Sequence, residues 1–119
     1  MVMKQRSVIV IDDDEDIVRL FSEFLEENNI NVIGGGHDGI TAIKLYNEKK
    51  PDVVLIDMMM PNGSGFYAIK KIQEINSKAK IIAVSGDTSS LTEEKLSKLN
   101  VPLIPKPFDM KQILSIINN

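Results

Sequence analysis

A doubly wound α/β fold, with a five-stranded parallel sheet flanked by five helices, is predicted by three features of the 119-residue chain. Short β-branched runs alternate with longer segments of helical period, the runs are apolar on consecutive residues, and side chains able to cap helices stand at the junctions. A strand that is apolar on both faces must be covered on both faces, and helices crossing between parallel strands supply that cover.

The strand candidates are 7–11, 31–33, 52–56, 80–84 and, less sharply, 101–104. Between them, Ile17, Leu20, Phe21, Phe24 and Leu25 recur at i, i+3, i+4, i+7 and i+8, the spacing of a core-facing helix. Ala42, Leu45 and Tyr46 form a second stripe, Phe66, Ile69, Ile72 and Ile75 a third, and Ile113, Ile116 and Ile117 another. Leu96 and Leu99 give a thinner one in and just beyond the segment from about 89 to 98. Asp14, Asp38, Ser64 and Asp109 are the expected helix caps, because their side chains can accept from free backbone amides; Gln112 completes a capping box with Asp109.

With 43% hydrophobic and 26% charged residues, the chain has material for one core, so a single domain over 1–119 is expected. A net charge of −3 and no lysine and arginine block argue against direct nucleic-acid binding, whose affinity comes largely from neutralising phosphates. The absence of cysteine excludes disulfides and thiolate metal sites. A charge at Lys4 and apolar runs of strand length speak against a signal peptide or a membrane span, and a soluble, cytoplasmic protein is expected.

In doubly wound sheets, functional groups gather at the carboxyl ends of the strands, where loops converge. Those ends carry Asp12, Asp13 and Asp14 after the first strand, Asp57 after the third, Ser85 after the fourth and Lys106 after the fifth. Neighbouring strands lie ~4.8 Å apart, so the acids share one pocket. Two like charges at about 4 Å repel by roughly 4 kcal/mol at an effective dielectric of 20, which a divalent cation would relieve. With only oxygen ligands on offer, Mg²⁺ or Mn²⁺ is favoured over zinc or copper. A carboxylate nucleophile at Asp57, a metal, the Lys106 ammonium and the Ser85 hydroxyl together describe phosphoryl transfer.

Other features read more plainly. Asp14 is a cap, since three consecutive acids cannot all enter one pocket. Gly34, Gly35 and Gly36 lack the lysine and hydroxyl residue of a phosphate-binding loop and read as a flexible loop, with His37 in it and outside the chemistry. Met58 and Met60 read as packing rather than as soft-metal ligands, and Lys70, Lys71 and Lys78 as solvated helix faces.

Four stretches carry a resemblance over essentially the whole chain: VIVIDDD (8–14), VVLIDMMMPNGSG (53–65), IIAVSGD (81–87) and IPKPF (104–108). In this order and at these spacings the chain resembles the receiver domain of two-component response regulators. The resemblance implies a flavodoxin-like sheet of strand order 2-1-3-4-5. It implies that Asp57 is the phosphoacceptor, loaded by a sensor histidine kinase, a phosphotransfer protein or a small acyl phosphate. Asp13 and Asp57 would bind Mg²⁺ directly, Asp12 through water, and the Met59 backbone carbonyl would be a further ligand. Ser85 would be the switch hydroxyl and Lys106 the phosphoryl partner, aimed by a cis peptide before Pro107. Such a domain phosphorylates and dephosphorylates itself rather than turning over substrate, and reports to a downstream effector or a fused output domain, as monomer or weak homodimer.

At Leu103, three residues before the lysine, relatives usually carry an aromatic residue that turns inward on activation. Leucine there puts in doubt the usual coupling to the face formed by the fourth helix, fifth strand and fifth helix. Met59 and Asp87 occupy positions that in the family tune the lifetime of the phosphoryl group. Two other functions compete: a phosphorylation-independent interaction module on the same scaffold, and a haloacid dehalogenase-like phosphohydrolase using Asp12, imitated by the Asp12-x-Asp14 pattern but needing a longer chain.

Overall fold

The computed structural model describes residues 5–60, 64–86, 89–106 and 109–119. Strands β1 (Ser7–Ile11), β2 (Asn31–Gly36), β3 (Val53–Asp57), β4 (Lys80–Ser85) and β5 (Leu103–Pro105) alternate with helices α1 (Glu15–Glu27), α2 (Gly39–Lys49), α3 (Ser64–Ile75), α4 (Ser90–Lys98) and α5 (Met110–Asn118). All strand pairings are parallel, in the order β2-β1-β3-β4-β5. Ile9, Ile11, Val54, Ile56, Ile81 and Ala83 point to one face and pack with α2, α3 and α4. Val8, Val10, Val53, Leu55, Ile82 and Val84 point to the other and pack with α1 and α5. The consecutive apolar residues of the strands are thus divided between two cores, as a sheet covered on both sides requires. Among the described residues no helix is long and apolar enough to cross a membrane.

Strand ends differ from the sequence pattern for identifiable reasons. β3 starts one residue late because Asp52 is engaged sideways: its carboxylate accepts from the Ser7 N–H at 2.8 Å, and its own N–H donates to the Ser7 hydroxyl at 2.9 Å. β5 is shorter and later than 101–104. The Val101 N–H is drawn back to the Leu96 carbonyl at 3.0 Å, Asn100 turns the chain at φ 59°, and Pro102 contributes only its carbonyl, to the Ala83 N–H at 3.0 Å.

The Gly34 to Gly36 run is not a loop. It is the second half of β2, paired with Ile9, Val10 and Ile11 after a bulge that displaces the register beyond Val8. The residues are glycine because two helices close on this edge strand. A Cβ at Gly36 would stand 2.6 Å from Thr41 Cγ2, and one at Gly35 2.9 Å from Val18 Cγ1.

Asp14 and Asp38 cap α1 and α2, accepting from the Asp16 N–H at 2.9 Å and the Thr41 N–H at 2.7 Å. Asp109 caps α5 by accepting from the Lys111 N–H at 2.9 Å. Ser64 is the first residue of α3, and its buried hydroxyl has no hydrogen-bond partner among the described residues. The α1 stripe is wider than the face it buries: Phe21 and Leu25 are buried, but Leu20 is 57% exposed, where it lines a small apolar cleft with Phe24 and Met110. Ile75, in the last turn of α3, is also exposed.

Where α2 and α3 begin side by side, a Cβ on Gly39 would collide with the backbone of Ser64. Gly39→Ala should therefore destabilise the fold by about 1–3 kcal/mol, the usual cost of overpacking. Gly86→Ala, whose added Cβ meets nothing within 4 Å among the described residues, should leave the urea midpoint unchanged or slightly raised. Equal midpoints for the two variants would refute the close approach.

Candidate functional site

The register of β1 on β3 builds the site. Ile11 stands opposite Ile56, so the next residues, Asp12 and Asp57, leave the sheet side by side. Both are 4% exposed. Asp13 is exposed, yet Asp12, Asp13 and Asp57 each offer an oxygen within 4.8 Å of the others. Asp57 is the last residue of β3, opposite Val84. Ser85 closes β4, fully buried and opposite Pro105. Lys106 is aligned by its backbone, its N–H donating to the Ser85 carbonyl at 2.9 Å, and its Nζ lies 3.5 Å from Asp57 Oδ1.

Local turns hold the two buried acids. The Asp14 N–H donates to Asp12 Oδ1 at 2.9 Å and the Met59 N–H to Asp57 Oδ1 at 3.1 Å. The Met59 side chain is exposed while those of Met58 and Met60 are buried, so the methionine run is packing on either side of one outward residue. Leu103 sits at the start of β5, half-buried against the core beneath α4. Asp87 and the proline after Lys106 lie outside the described residues.

Asp14, occupied as the cap of α1, points its carboxylate at its own helix. The Asp12-x-Asp14 pattern therefore does not form the paired-acid centre of a haloacid dehalogenase-like hydrolase.

His37, read from the sequence as a loop residue outside the chemistry, is brought beside the first acid. Its Nδ1 lies 3.0 Å from the Asp12 backbone carbonyl, and the Asp12 N–H donates to the Gly36 carbonyl at 3.1 Å. Once Gly36 is known to pair with Ile11, residue 37 must come level with residue 12. That signal was hidden while the glycines were read as a loop.

The cluster suits a hard dication. Oxygens across an octahedral Mg²⁺ stand about 4.2 Å apart, twice a bond of ~2.1 Å. A set whose oxygens all lie within 4.8 Å of one another is close to that span.

The response regulator receiver domain family model matches residues 8–118. The chain belongs to this family. As a receiver domain of two-component signalling, it is 31% identical over 118 residues to the chemotaxis protein CheY of Halobacterium salinarum, covering 96% of this chain and 95% of that one. It is 29% identical over 112 residues to the chemotaxis protein CheY of Bacillus subtilis, covering 93% of each. Among solved structures, the Francisella response regulator 1452 receiver domain superposes with a TM-score of 0.86 at 29% identity, covering 96% of this chain and 94% of that one.

The Asp12 carboxyl of this receiver domain is pushed up from its ordinary 3.8 to about 6, first by burial. The Asp14 N–H and Lys106 draw it back down, and the neighbouring Asp57 and Asp13 raise it further. Between about 3.8 and about 6 the folded chain holds this proton while the unfolded chain has released it, so stability is lost as pH rises through that window. The shift corresponds to about 3 kcal/mol. Without divalent cations, the urea stability of the parent should fall relative to Asp12→Asn between about pH 4 and about pH 7. Two curves that stay parallel would show that Asp12 is not so perturbed.

Proposed function

We propose that this chain works as a single receiver domain over 1–119 that accepts a phosphoryl group on Asp57 with Mg²⁺ bound beside it. The observation that carries the reading is the placement of a buried carboxylate, Asp57, between an ammonium at 3.5 Å and two further carboxylates within 4.8 Å. A buried carboxylate beside the Lys106 ammonium faces a pocket that attracts a dication, and a dication is what lets a carboxylate nucleophile approach an anionic phosphoryl group.

In this reading an Asp57 oxygen attacks phosphorus on a histidine kinase or phosphotransfer protein, or on a small acyl phosphate. The bond from phosphorus to the donor breaks, and its electron pair leaves with the donor. Asp13, Asp57 and the Met59 carbonyl would hold Mg²⁺, with Asp12 acting through water; the ion neutralises charge on the phosphoryl oxygens when bound. Mn²⁺, with the same preference for oxygen, would substitute. Lys106 pairs with the new phosphoryl group, and the Ser85 hydroxyl donates to it. Asp57 loses the phosphoryl group by hydrolysis in the same pocket, so the domain is its own kinase substrate and phosphatase rather than a turnover enzyme.

The change of charge on Asp57 would alter binding of a downstream effector or fused output domain at the α4-β5-α5 face. Leu103 supplies no aromatic switch there, so the family's usual aromatic route from Ser85 to that face is missing. The domain would act in the cytoplasm, as monomer or weak homodimer, without touching nucleic acid.

Incubation with acetyl phosphate and Mg²⁺, followed by intact-mass analysis, should add one phosphoryl group to the parent and none to Asp57→Asn. A chain that neither gains this mass nor binds Mg²⁺ in a millimolar titration would instead be a phosphorylation-independent interaction module.

The Met59 side chain, two residues after Asp57, is exposed and offers a water no more than a weak acceptor. After removal of the donor, the phosphoryl group should persist longer on the parent than on Met59→Asn. Equal or faster loss from the parent would contradict this role for Met59.

A further inference from the structure

We propose that the groove between α3 and α4 is a docking site for an acidic, amphipathic segment of a partner protein, separate from the α4-β5-α5 face. The groove measures about 310 Å³, with a floor of Phe66 and Leu99 and a rim of Lys70, Lys95 and Lys98. Two of the lysines come from α4 and one from α3, so the positive charge converges on the apolar floor from both walls.

Not every lysine on these helices is free to receive a carboxylate. Lys71 pairs with Glu74 at 3.4 Å and Lys98 with Glu94 at 3.2 Å. Lys70 and Lys95 have no carboxylate partner among the described residues, and Lys95 Nζ is drawn over the Phe66 ring, 5.5 Å from its centroid. An ammonium resting on an aromatic face at the mouth of an apolar groove gains only modest energy there and is available to an anion. Solvated helix faces, the plainer reading of Lys70, do not explain why the two unpaired amines flank the same partly buried phenylalanine.

In a protein of net charge −3, this local excess of positive charge selects its partner. The opposite side of α4 presents Glu93 and Ser97 to the cavity beside Leu103, so the two sides of one helix differ in sign. A segment with an apolar residue on Phe66 and Leu99 and glutamates on the adjoining turn would satisfy the α3–α4 side and be repelled from the other. The apolar floor favours such a peptide over nucleic acid, whose phosphates would gain nothing from it.

The test uses full-length Asp57→Asn protein, so its result is independent of phosphorylation. A fluorescent peptide with leucine and phenylalanine at i and i+4 between glutamates is titrated by anisotropy at about 0.15 M salt. Versions with lysine for each glutamate, or serine for both apolar residues, and an oligothymidine of similar length serve as comparisons. The acidic peptide should bind at least about tenfold more tightly than the comparisons, and its amide shift changes should map to α3 and α4. Lys70→Glu with Lys95→Glu should weaken it by about tenfold or more, whereas Lys111→Glu on α5 should not. Both reversals fall on exposed residues, and an unchanged urea midpoint confirms the fold. Equal affinity for the lysine peptide, tighter binding of oligothymidine, insensitivity to the double reversal, or shifts confined to other elements would overturn the proposal.

Discussion

Two carboxylates buried side by side, Asp12 and Asp57, are the constraint to which the rest of the receiver domain answers. Removing even one ionised group from water costs several kcal/mol, and placing a second within reach adds repulsion. The fold tolerates the pair because the compensation is built from backbone as well as side chain. Each carboxylate accepts from an N–H two residues on, at Asp14 and Met59, and Asp57 has the Lys106 ammonium beside it. Burial above all drives the Asp12 carboxyl up to about 6, and the Asp14 N–H and Lys106 draw it only part of the way back.

Meeting that constraint fixes the geometry of elements well beyond the pocket. The amides that serve Asp12 and Asp57 are available only if the chain turns sharply as it leaves β1 and β3, and Asp14 completes the first turn by capping α1. Lys106 reaches Asp57 because β5, although only three residues long, is locked to β4 at its last rung by the Lys106 N–H to Ser85 carbonyl bond. The prolines at either end of β5 remove ladder donors that an edge strand can spare, so the lysine is placed with little sheet structure behind it.

The alternation of strands and helices was legible because burial on both faces of the sheet leaves unbroken apolar runs, and the acids could be grouped because parallel strands end at a common level. What the pattern concealed depended on partners distant in sequence. Gly34, Gly35 and Gly36 have no side chain to show a period, and only the approach of Val18 and Thr41 explains why they belong to a strand. His37 was lost with them. Leu20 has the right spacing for the core, but α1 meets the sheet along a narrower line than its apolar stripe, and α5 covers only part of the remainder. Ser64 resembles a cap in sequence, yet it is the first described residue of α3 and its hydroxyl has no hydrogen-bond partner among the described residues.

α4 is the helix least committed to the core. It buries one large apolar side chain, Leu96, whereas α1 and α5 each bury two and α3 buries Ala68, Ile69 and Ile72. Few buried apolar contacts make local displacement inexpensive in free energy. On one side α4 borders a cavity of about 610 Å³ beside Leu103, and on the other the lysine-rimmed groove over Phe66. With open space on its β5 side, a shift of α4 toward β5 would widen the groove against α3. A ligand on either side therefore acts on the same weakly anchored element, and the sign of the coupling depends on which space the displaced helix closes.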